Sequence, residues 1–360
     1  MSESSTSGLR AWVEVDLGAL VRNANALTAH AGVPLLPVIK ADAYGLGSVP
    51  VAHALAPTNP WGYGIATVAE GEALRAAGIR SRIVVFTPLL PEEFADARAA
   101  RVTPTLATPE TIAEWQERGG GKRPWQLAID TGMQRAGIPW ERTAELNDLV
   151  RASPPEAVFT HYHSSEIDDG SMQEQDRRFA AALDSLAVKP TLTHADNSAA
   201  TVRRVKQPYG LVRPGAFLYG VGSGPRTLNP EPVVHLRARV LETRDVAAGE
   251  TVSYGGMWRA FAPRRIATIA IGYADGYRRA LTNVGKAFLH GKVVPVVGAV
   301  TMDMTMLDVT DVPCNPGDVA TLIGRDGDQV STIEEVAAQG QISTYEVLTG
   351  LRQRLPRVYL

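Results

Sequence analysis

Eight short apolar segments between residues 33 and 220 alternate with stretches that have the spacing of amphipathic helices. Several of these stretches carry apolar residues at i, i+3 and i+4 and begin near Thr, Ser or Pro, as helices commonly do. Strands that alternate with helices predict a parallel sheet, and eight such units predict closure into a (β/α)8 barrel of the TIM type. The predicted barrel strands cover residues 35–40, 63–67, 82–86, 102–107, 125–130, 157–162, 191–196 and 211–220.

An open doubly wound sheet is the alternative arrangement for the same alternation. Such sheets carry a Gly-rich fingerprint after their first strand, and this chain has none there. The GVGSGP segment at 220–225 contains a GxG pattern, but a proline follows it and no helix does. We therefore interpret residues 220–225 as a turn.

The pattern changes after residue 230, where strand-like runs are separated by Gly, Pro and Asp turns. Only STIEEVAAQ, residues 331–339, resembles a helix in this part. The sequence thus predicts two domains: a barrel over residues 1–230 and a mostly-β domain over residues 231–360. The first strand-like run, residues 12–16, precedes the barrel and is a candidate for packing with the second domain. Met304 and Met306 alternate as residues of a strand core do.

Composition narrows the class of protein. The chain has 360 residues, 45% of them apolar and 21% charged, with a net charge of −2. No Lys/Arg block stands out, so we expect no nucleic-acid surface. Its one cysteine, Cys314, excludes an intramolecular disulfide and a cluster of thiolate metal ligands. The polar first ten residues do not resemble a secretion signal, and no apolar run approaches the ~20 residues of a membrane span, so the cytoplasm is expected.

Lys40 ends the first predicted barrel strand, in VPLLPVIK, and ADAYGLG follows it directly. The loops after barrel strands hold the active sites of barrel enzymes, and a buried lysine can lose its proton and form a Schiff base. Such barrels often bind phosphate after strands seven and eight, against a helix N-terminus, and here Asn197 and Ser198 open a predicted helix. A phosphate site facing a lysine suggests pyridoxal phosphate as the cofactor.

Several short segments resemble those of the alanine racemase family. VIKADAYGLG is similar to the cofactor-lysine segment of that family. IDTGMQRAG, FTH, NSAAT, RPGAFLYG, VSYGG, IGYADGYRR, TMDMT and STYEVL resemble its further segments in the same order, over residues 12 to 359. The resemblance implies a barrel followed by a β domain, pyridoxal phosphate as cofactor, a homodimer, and interconversion of L- and D-alanine that supplies cell-wall peptidoglycan.

The resemblance also implies roles for individual residues. Lys40 would carry the cofactor and act as one catalytic base, and Tyr254 would be the other base, reaching the site from the partner subunit. Further cofactor contacts would come from Tyr44, His161, Ser198, Arg213, Gly215, Ala216 and Tyr345. Substrate contacts would come from Arg135, and from Tyr273, Met302 and Asp303 of the partner's β domain. Arg213 would face the pyridine nitrogen, which a guanidinium cannot protonate, and this favours racemase chemistry.

Three alternatives stay open at this point. One is a racemase for serine or for a broader range of amino acids. Another is a non-catalytic pyridoxal-phosphate carrier, although such carriers lack a second domain. A third is a metal-dependent barrel hydrolase, because His161 and His163 are two apart on a predicted strand and would share a face. The chain also departs from the family at Ala128, where many members have a carbamylated lysine that positions the following arginine.

Overall fold

The computed structural model describes residues 6–224 and 228–360. The first five residues of the polar N-terminal segment, and Pro225 of the predicted turn at 220–225, lie outside these described residues. In the described parts of the chain, no helix combines the length and the apolar character that a membrane span needs.

The first half of the chain forms a closed barrel. Its parallel sheet contains, in chain order, Tyr63–Ile65, Ile83–Pro88, Thr103–Leu106, Gln126–Asp130, Ala157–Phe159 and Thr193–His194. Isolated parallel bridges complete the circle: Val38 pairs with Gly64, Leu35 with Val212, and His194 with Leu211. The first and eighth strand positions therefore meet, and this closure confirms the predicted (β/α)8 fold class.

Helices follow most barrel strands, as the sequence pattern predicts. They are Ser48–Leu55, Val68–Ala76, Phe94–Ala99, Pro109–Trp115, Asn147–Ala152, Ser171–Ser185 and Ser198–Arg203, and a further helix, Leu17–Ala31, precedes the first barrel strand. Side-chain caps fix several starts: Asp16 accepts from Ala19 N, and Asn197 accepts from Ala200 N. Each cap pairs a peptide N–H that the first helical turn leaves without a partner.

The second part of the chain is a mostly-β domain. Its strands are Val234–Val246, Thr251–Val252, Trp258–Arg259, Arg264–Ile269, Lys286–Leu289, Lys292–Pro295, Thr305–Asp308, Val319–Asp326, Gln329–Ser331 and Arg357–Tyr359. The N-terminal strand Ala11–Val15 joins this sheet, antiparallel to Val234–Val246 and parallel to Arg357–Tyr359. The domain boundary at residue 230 stays a prediction.

Three local predictions were wrong. Residues 211–220 are not one strand: pairing stops at Val212, and Ala216–Tyr219 form a 3-10 helix. A second helix, Thr344–Thr349, follows Ile333–Gly340, because Ser343 caps it in a capping box with Glu346. Met304 is not a core residue, because its strand begins only at Thr305 and its side chain is exposed.

Candidate active site

A cavity of about 940 Å³ opens at the carboxyl ends of the barrel strands. Nine of the predicted site residues line it: Lys40, Tyr44, Arg135, His161, Ser198, Arg213, Gly215, Ala216 and Tyr345. They come from the first, fifth, sixth, seventh and eighth strand positions and from the Thr344–Thr349 helix. The barrel closure therefore brings together residues that lie up to 305 positions apart in the sequence.

Lys40 begins an unusual turn. The next four residues, Ala41–Tyr44, all have left-handed backbone, with φ between 52° and 57°. This conformation costs about 1–2 kcal/mol per residue other than glycine, so the turn stores roughly 4–8 kcal/mol. Strain of this size persists only where surrounding contacts impose the conformation, and it is typical of functional sites.

Contacts from both domains hold this left-handed turn. Asp42 Oδ1 accepts a hydrogen bond from Ser48 N at 2.6 Å. Arg357, from the last strand of the β domain, donates to Gly45 O from Nε at 2.9 Å and from Nη2 at 2.7 Å. The turn that carries Lys40 and Tyr44 is thus fixed against the β-domain sheet.

The cavity lowers the pKa of Lys40 from its ordinary value. Burial of the ammonium group among the cavity walls is the largest cause, and the positive charges of Arg135 and Arg213 act in the same direction, while Glu70 opposes them. The lysine side chain as a whole is nevertheless exposed to solvent in a single chain. A lowered pKa makes the neutral amine, which is both nucleophile and base, more available near neutral pH.

A cradle for a phosphate group lies beside Tyr44. Ser198 Oγ accepts hydrogen bonds from Gly215 N at 3.0 Å and from Phe217 N at 3.2 Å. A Cβ atom on Gly215 would lie 2.5 Å from the Tyr44 hydroxyl oxygen. Only a residue without a side chain therefore leaves this space open, and the hydroxyl and peptide N–H groups around it suit phosphate oxygens.

Arg213 is buried in the cavity wall. Its Nη2 donates to Thr160 O at 2.6 Å and to Ala195 O at 2.7 Å, and its guanidinium lies 5.3 Å from the ring centre of Phe86 and 5.1 Å from that of Phe159. Burial lowers its pKa to about 10, which keeps it charged at neutral pH. Its Nε is buried without a partner among the described residues. A ring nitrogen that accepts a hydrogen bond fits this donor, as a pyridine cofactor would provide.

His161 is held in its neutral form. Its pKa is lowered to about 3, chiefly by burial and additionally by the positive charges of Arg213, Arg135 and Lys40. The predicted shared face with His163 is wrong, because the strand ends at Phe159 and both histidines lie in the loop after it. His163 is exposed, and its Nδ1 lies 2.7 Å from Ser164 Oγ.

Within residues 6–224 and 228–360, no group of three or more potential ligand side chains is placed to hold a metal ion.

Arg135 is exposed at the cavity mouth. Across the described ranges it has neither a hydrogen bond nor an ion pair to another residue. Ala128, which stands where many family members have a lysine, is 5% exposed and lines the same cavity. The methyl group of Ala128 cannot hold a guanidinium in place, so Arg135 is not fixed from that side.

The remaining four predicted site residues do not line the cavity. Tyr254, Tyr273, Met302 and Asp303 lie on the β domain with side chains turned to solvent, Tyr254 being 74% exposed. Asp303 accepts a hydrogen bond from Arg354 at 2.7 Å, and Arg354 in turn pairs with the buried Asp275 at 2.8 Å. These contacts hold Asp303 in the loop that carries it, and this loop is separate from the cavity of its own chain.

Sequence reasoning missed Glu70, Phe86 and Phe159. Phe86 and Phe159 flank Arg213, and nothing in their apolar strands distinguishes them from ordinary core residues. The sequence does indicate a local role for Glu70, because Thr67 and Glu70 have the spacing of a capping box at a helix start. The structure confirms that box, and the same carboxylate also accepts from Ala41 N at 2.6 Å.

Taken together, the fold and the cavity define a barrel protein with a β domain, whose cavity combines a lysine, a space beside Gly215 that suits a phosphate group, and a buried arginine with an unpaired donor. Family models agree with this class: the alanine racemase N-terminal domain matches residues 15–223, and the alanine racemase C-terminal domain matches residues 233–359. The chain belongs to the alanine racemase family.

Known proteins of this family resemble the chain over nearly its whole length. The alanine racemase of Acidiphilium cryptum is 39% identical over 353 residues, 96% of this chain and 97% of that protein. The crystal structure of alanine racemase from Bartonella henselae with covalently bound pyridoxal phosphate has a TM-score of 0.90 at 29% identity, covering 98% and 99% of the two chains. Alanine racemase from Bacillus anthracis with bound L-Ala-P has a TM-score of 0.89 at 31% identity, covering 98% and 95%.

Proposed function

We propose that this protein is a pyridoxal-phosphate-dependent racemase that interconverts L-alanine and D-alanine. The observation that carries the proposal is one cavity containing a lysine of lowered pKa, a phosphate cradle and a buried arginine with an unpaired donor. The relatives named above support alanine as the substrate and pyridoxal phosphate as the cofactor.

The residues of the cavity fit this cofactor. Lys40 would bind it covalently, Ser198 and the peptide groups near Gly215 would hold its phosphate, and Arg213 Nε would donate to its ring nitrogen. When bound, pyridoxal phosphate supplies an electron sink that makes the Cα proton of an amino acid removable. Arg213 cannot give up its proton to the ring nitrogen, so it keeps that sink weak and limits side reactions such as transamination.

Racemisation needs a proton removed from one face of Cα and another returned to the opposite face. We assign Lys40 Nζ to one face, because its lowered pKa suits a base near neutral pH. We assign Tyr254 Oη to the other. Since Tyr254 is 74% exposed and lies outside the cavity of its own chain, it would act in the site of the partner subunit.

A homodimer follows from this assignment. A two-fold contact between identical surfaces would bring each β domain to the partner's cavity and complete two sites. Tyr273, Met302 and Asp303 would then close the pocket around a small side chain, with Arg135 on the substrate carboxylate. The relatives named above favour alanine over the alternative, which is racemisation of serine or of a broader range of amino acids. The cytoplasmic location and the supply of D-alanine to peptidoglycan stay predictions.

The test is an assay of the purified protein with added pyridoxal phosphate in deuterated water, against enantiopure alanine, serine and larger amino acids. We expect both alanine enantiomers to interconvert and to gain deuterium at Cα, faster than the other amino acids. Lys40→Ala should lose both the exchange and the visible absorbance of the lysine-bound cofactor. A protein that binds cofactor but exchanges no Cα proton would be a carrier, which contradicts the proposal.

A further inference from the structure

Glu70 lies on the helix after the second barrel strand, and its carboxylate bridges two separate loops. Oε1 accepts a hydrogen bond from Ala41 N at 2.6 Å, and Oε2 accepts one from Ala66 N at 2.7 Å. Ala41 is the residue directly after Lys40, and Ala66 directly follows the strand Tyr63–Ile65. One side chain therefore fixes the backbone beside Lys40 relative to the neighbouring strand.

The backbone beside Lys40 needs such an anchor. A left-handed turn of non-glycine residues relaxes to ordinary backbone unless contacts oppose the change. Asp42 and Arg357 hold the middle and the end of this turn, as described above. Glu70 contacts the first peptide group of the turn, between Lys40 and Ala41. This peptide group determines the direction in which the Lys40 side chain leaves the strand.

Glu70 also acts on the charge of Lys40. The cations Arg135 and Arg213 favour the neutral amine, and the Glu70 carboxylate favours the ammonium form. The helix cap uses Thr67 Oγ1, which accepts from Glu70 N at 3.3 Å, and Glu70 Oε2, which accepts from Thr67 N at 3.3 Å, so the cap does not need Oε1. A carboxylate that served only to cap the helix would have no need to reach Ala41.

We propose that Glu70 is a positioning residue for Lys40: through Ala41 and Ala66, its carboxylate holds the start of the left-handed turn and thereby the direction in which Lys40 enters the cavity. This rests on the proposed function only in taking Lys40 as the cofactor lysine. Glu70 does not line the cavity and would act through the backbone.

The test compares Glu70→Gln with Glu72→Gln in the full-length protein. The Glu70 variant keeps the size of the side chain and one acceptor oxygen, but loses the charge and one of the two bridging bonds. Glu72 is exposed on the same helix and serves as the matched control. Without cofactor, the rate of reductive methylation of Lys40 is followed against pH by peptide mass spectrometry. Amide exchange over residues 40–47 is measured in parallel.

We expect Glu70→Gln to move the methylation profile of Lys40 to lower pH, because the negative charge that favours its ammonium form is lost. Exchange over residues 40–47 should become faster, and the affinity for pyridoxal phosphate should fall roughly tenfold, as for the loss of one charge-assisted hydrogen bond. Glu72→Gln should change none of these. A Glu70→Gln protein with wild-type methylation and exchange overturns the proposal, even if its melting temperature is lower.

A second measurement decides the matter if Glu70→Gln does not fold. In the wild-type protein, exchange at single-residue resolution should find the Ala41 amide protected although the residue is exposed, and rapid exchange overturns the proposal. Neither readout needs bound cofactor. Failure of the proposed function, such as a cofactor band that survives in Lys40→Ala, is therefore distinguishable from failure of the role given to Glu70.

Discussion

The neutral state of His161 has a measurable consequence for stability. The pKa of this histidine is lowered to about 3 in the folded chain, chiefly by burial and then by Arg213, Arg135 and Lys40. In the unfolded chain it is about 6.5. Between these two values the unfolded chain binds one proton that the folded chain does not bind, so stability rises with pH across this window and falls as the pH is lowered.

The size of the effect follows from this proton. The free energy of unfolding changes by up to about 1.4 kcal/mol per pH unit for one proton. Lowering the pH from 7 to 5 should therefore cost about 2 kcal/mol through His161 alone. His161→Gln removes the titrating group, so the variant should lose about 2 kcal/mol less than the wild type over the same interval.

The assay is urea denaturation of cofactor-free protein at pH 7, 6 and 5, at one fixed protein concentration so that association does not shift the midpoints. His163→Gln is the control, because His163 is two residues away and exposed. The pKa of buried His194 is also lowered, but His194 is present in all three proteins and cancels in the comparison. Equal pH dependence in wild type and His161→Gln would refute the assignment of a neutral His161 in the folded chain.

Three substitutions test other parts of the cavity. Ser198→Ala leaves two buried peptide N–H groups without their acceptor. We therefore expect the free energy of unfolding, measured by urea denaturation of the cofactor-free protein, to fall by about 1–3 kcal/mol. Unchanged stability would contradict the hydrogen bonds that Ser198 accepts in the cradle. Gly215→Ala places a Cβ atom 2.5 Å from the Tyr44 hydroxyl, so pyridoxal-phosphate affinity measured by absorbance titration should fall tenfold or more, roughly 1.4 kcal/mol, and wild-type affinity would refute this. Ala128→Lys adds a basic side chain to the cavity that Arg135 also lines, so KM for the amino acid should change. Unchanged kinetics would indicate that Arg135 needs no supporting side chain at position 128.

The barrel could be predicted from the sequence because its signals are local and repeated. Helix starts such as Thr67 and Asn197 carry capping residues, and each apolar strand is bounded by polar loops. The segment 211–220 was misread, since a short apolar run fits a strand or a buried helical turn equally well by pattern alone. Arg213 and Gly215 nevertheless line the cavity as predicted, because their assignment depended on the resemblance of RPGAFLYG to a family segment and not on the strand.

Two features of the site lay beyond sequence reasoning. The left-handed turn at Ala41–Tyr44 contains neither the glycine nor the asparagine that usually indicates such backbone. It is imposed by distant groups, including Arg357, which lies 312 positions from Gly45 in the sequence. The exposure of Tyr254 is likewise a property of how the β-domain sheet folds, and no local pattern around Ser253 and Gly255 indicates it.

The central claim is that each active site combines Lys40 of one chain with Tyr254 of another. Mixing inactive Lys40→Ala protein with inactive Tyr254→Phe protein, after subunit exchange, tests it directly. Random pairing makes half of the dimers mixed, and each mixed dimer has one intact site, so about 25% of wild-type activity should return. If both residues acted within the same chain, no dimer in the mixture would contain an intact site, and the activity would stay at the level of the separate variants.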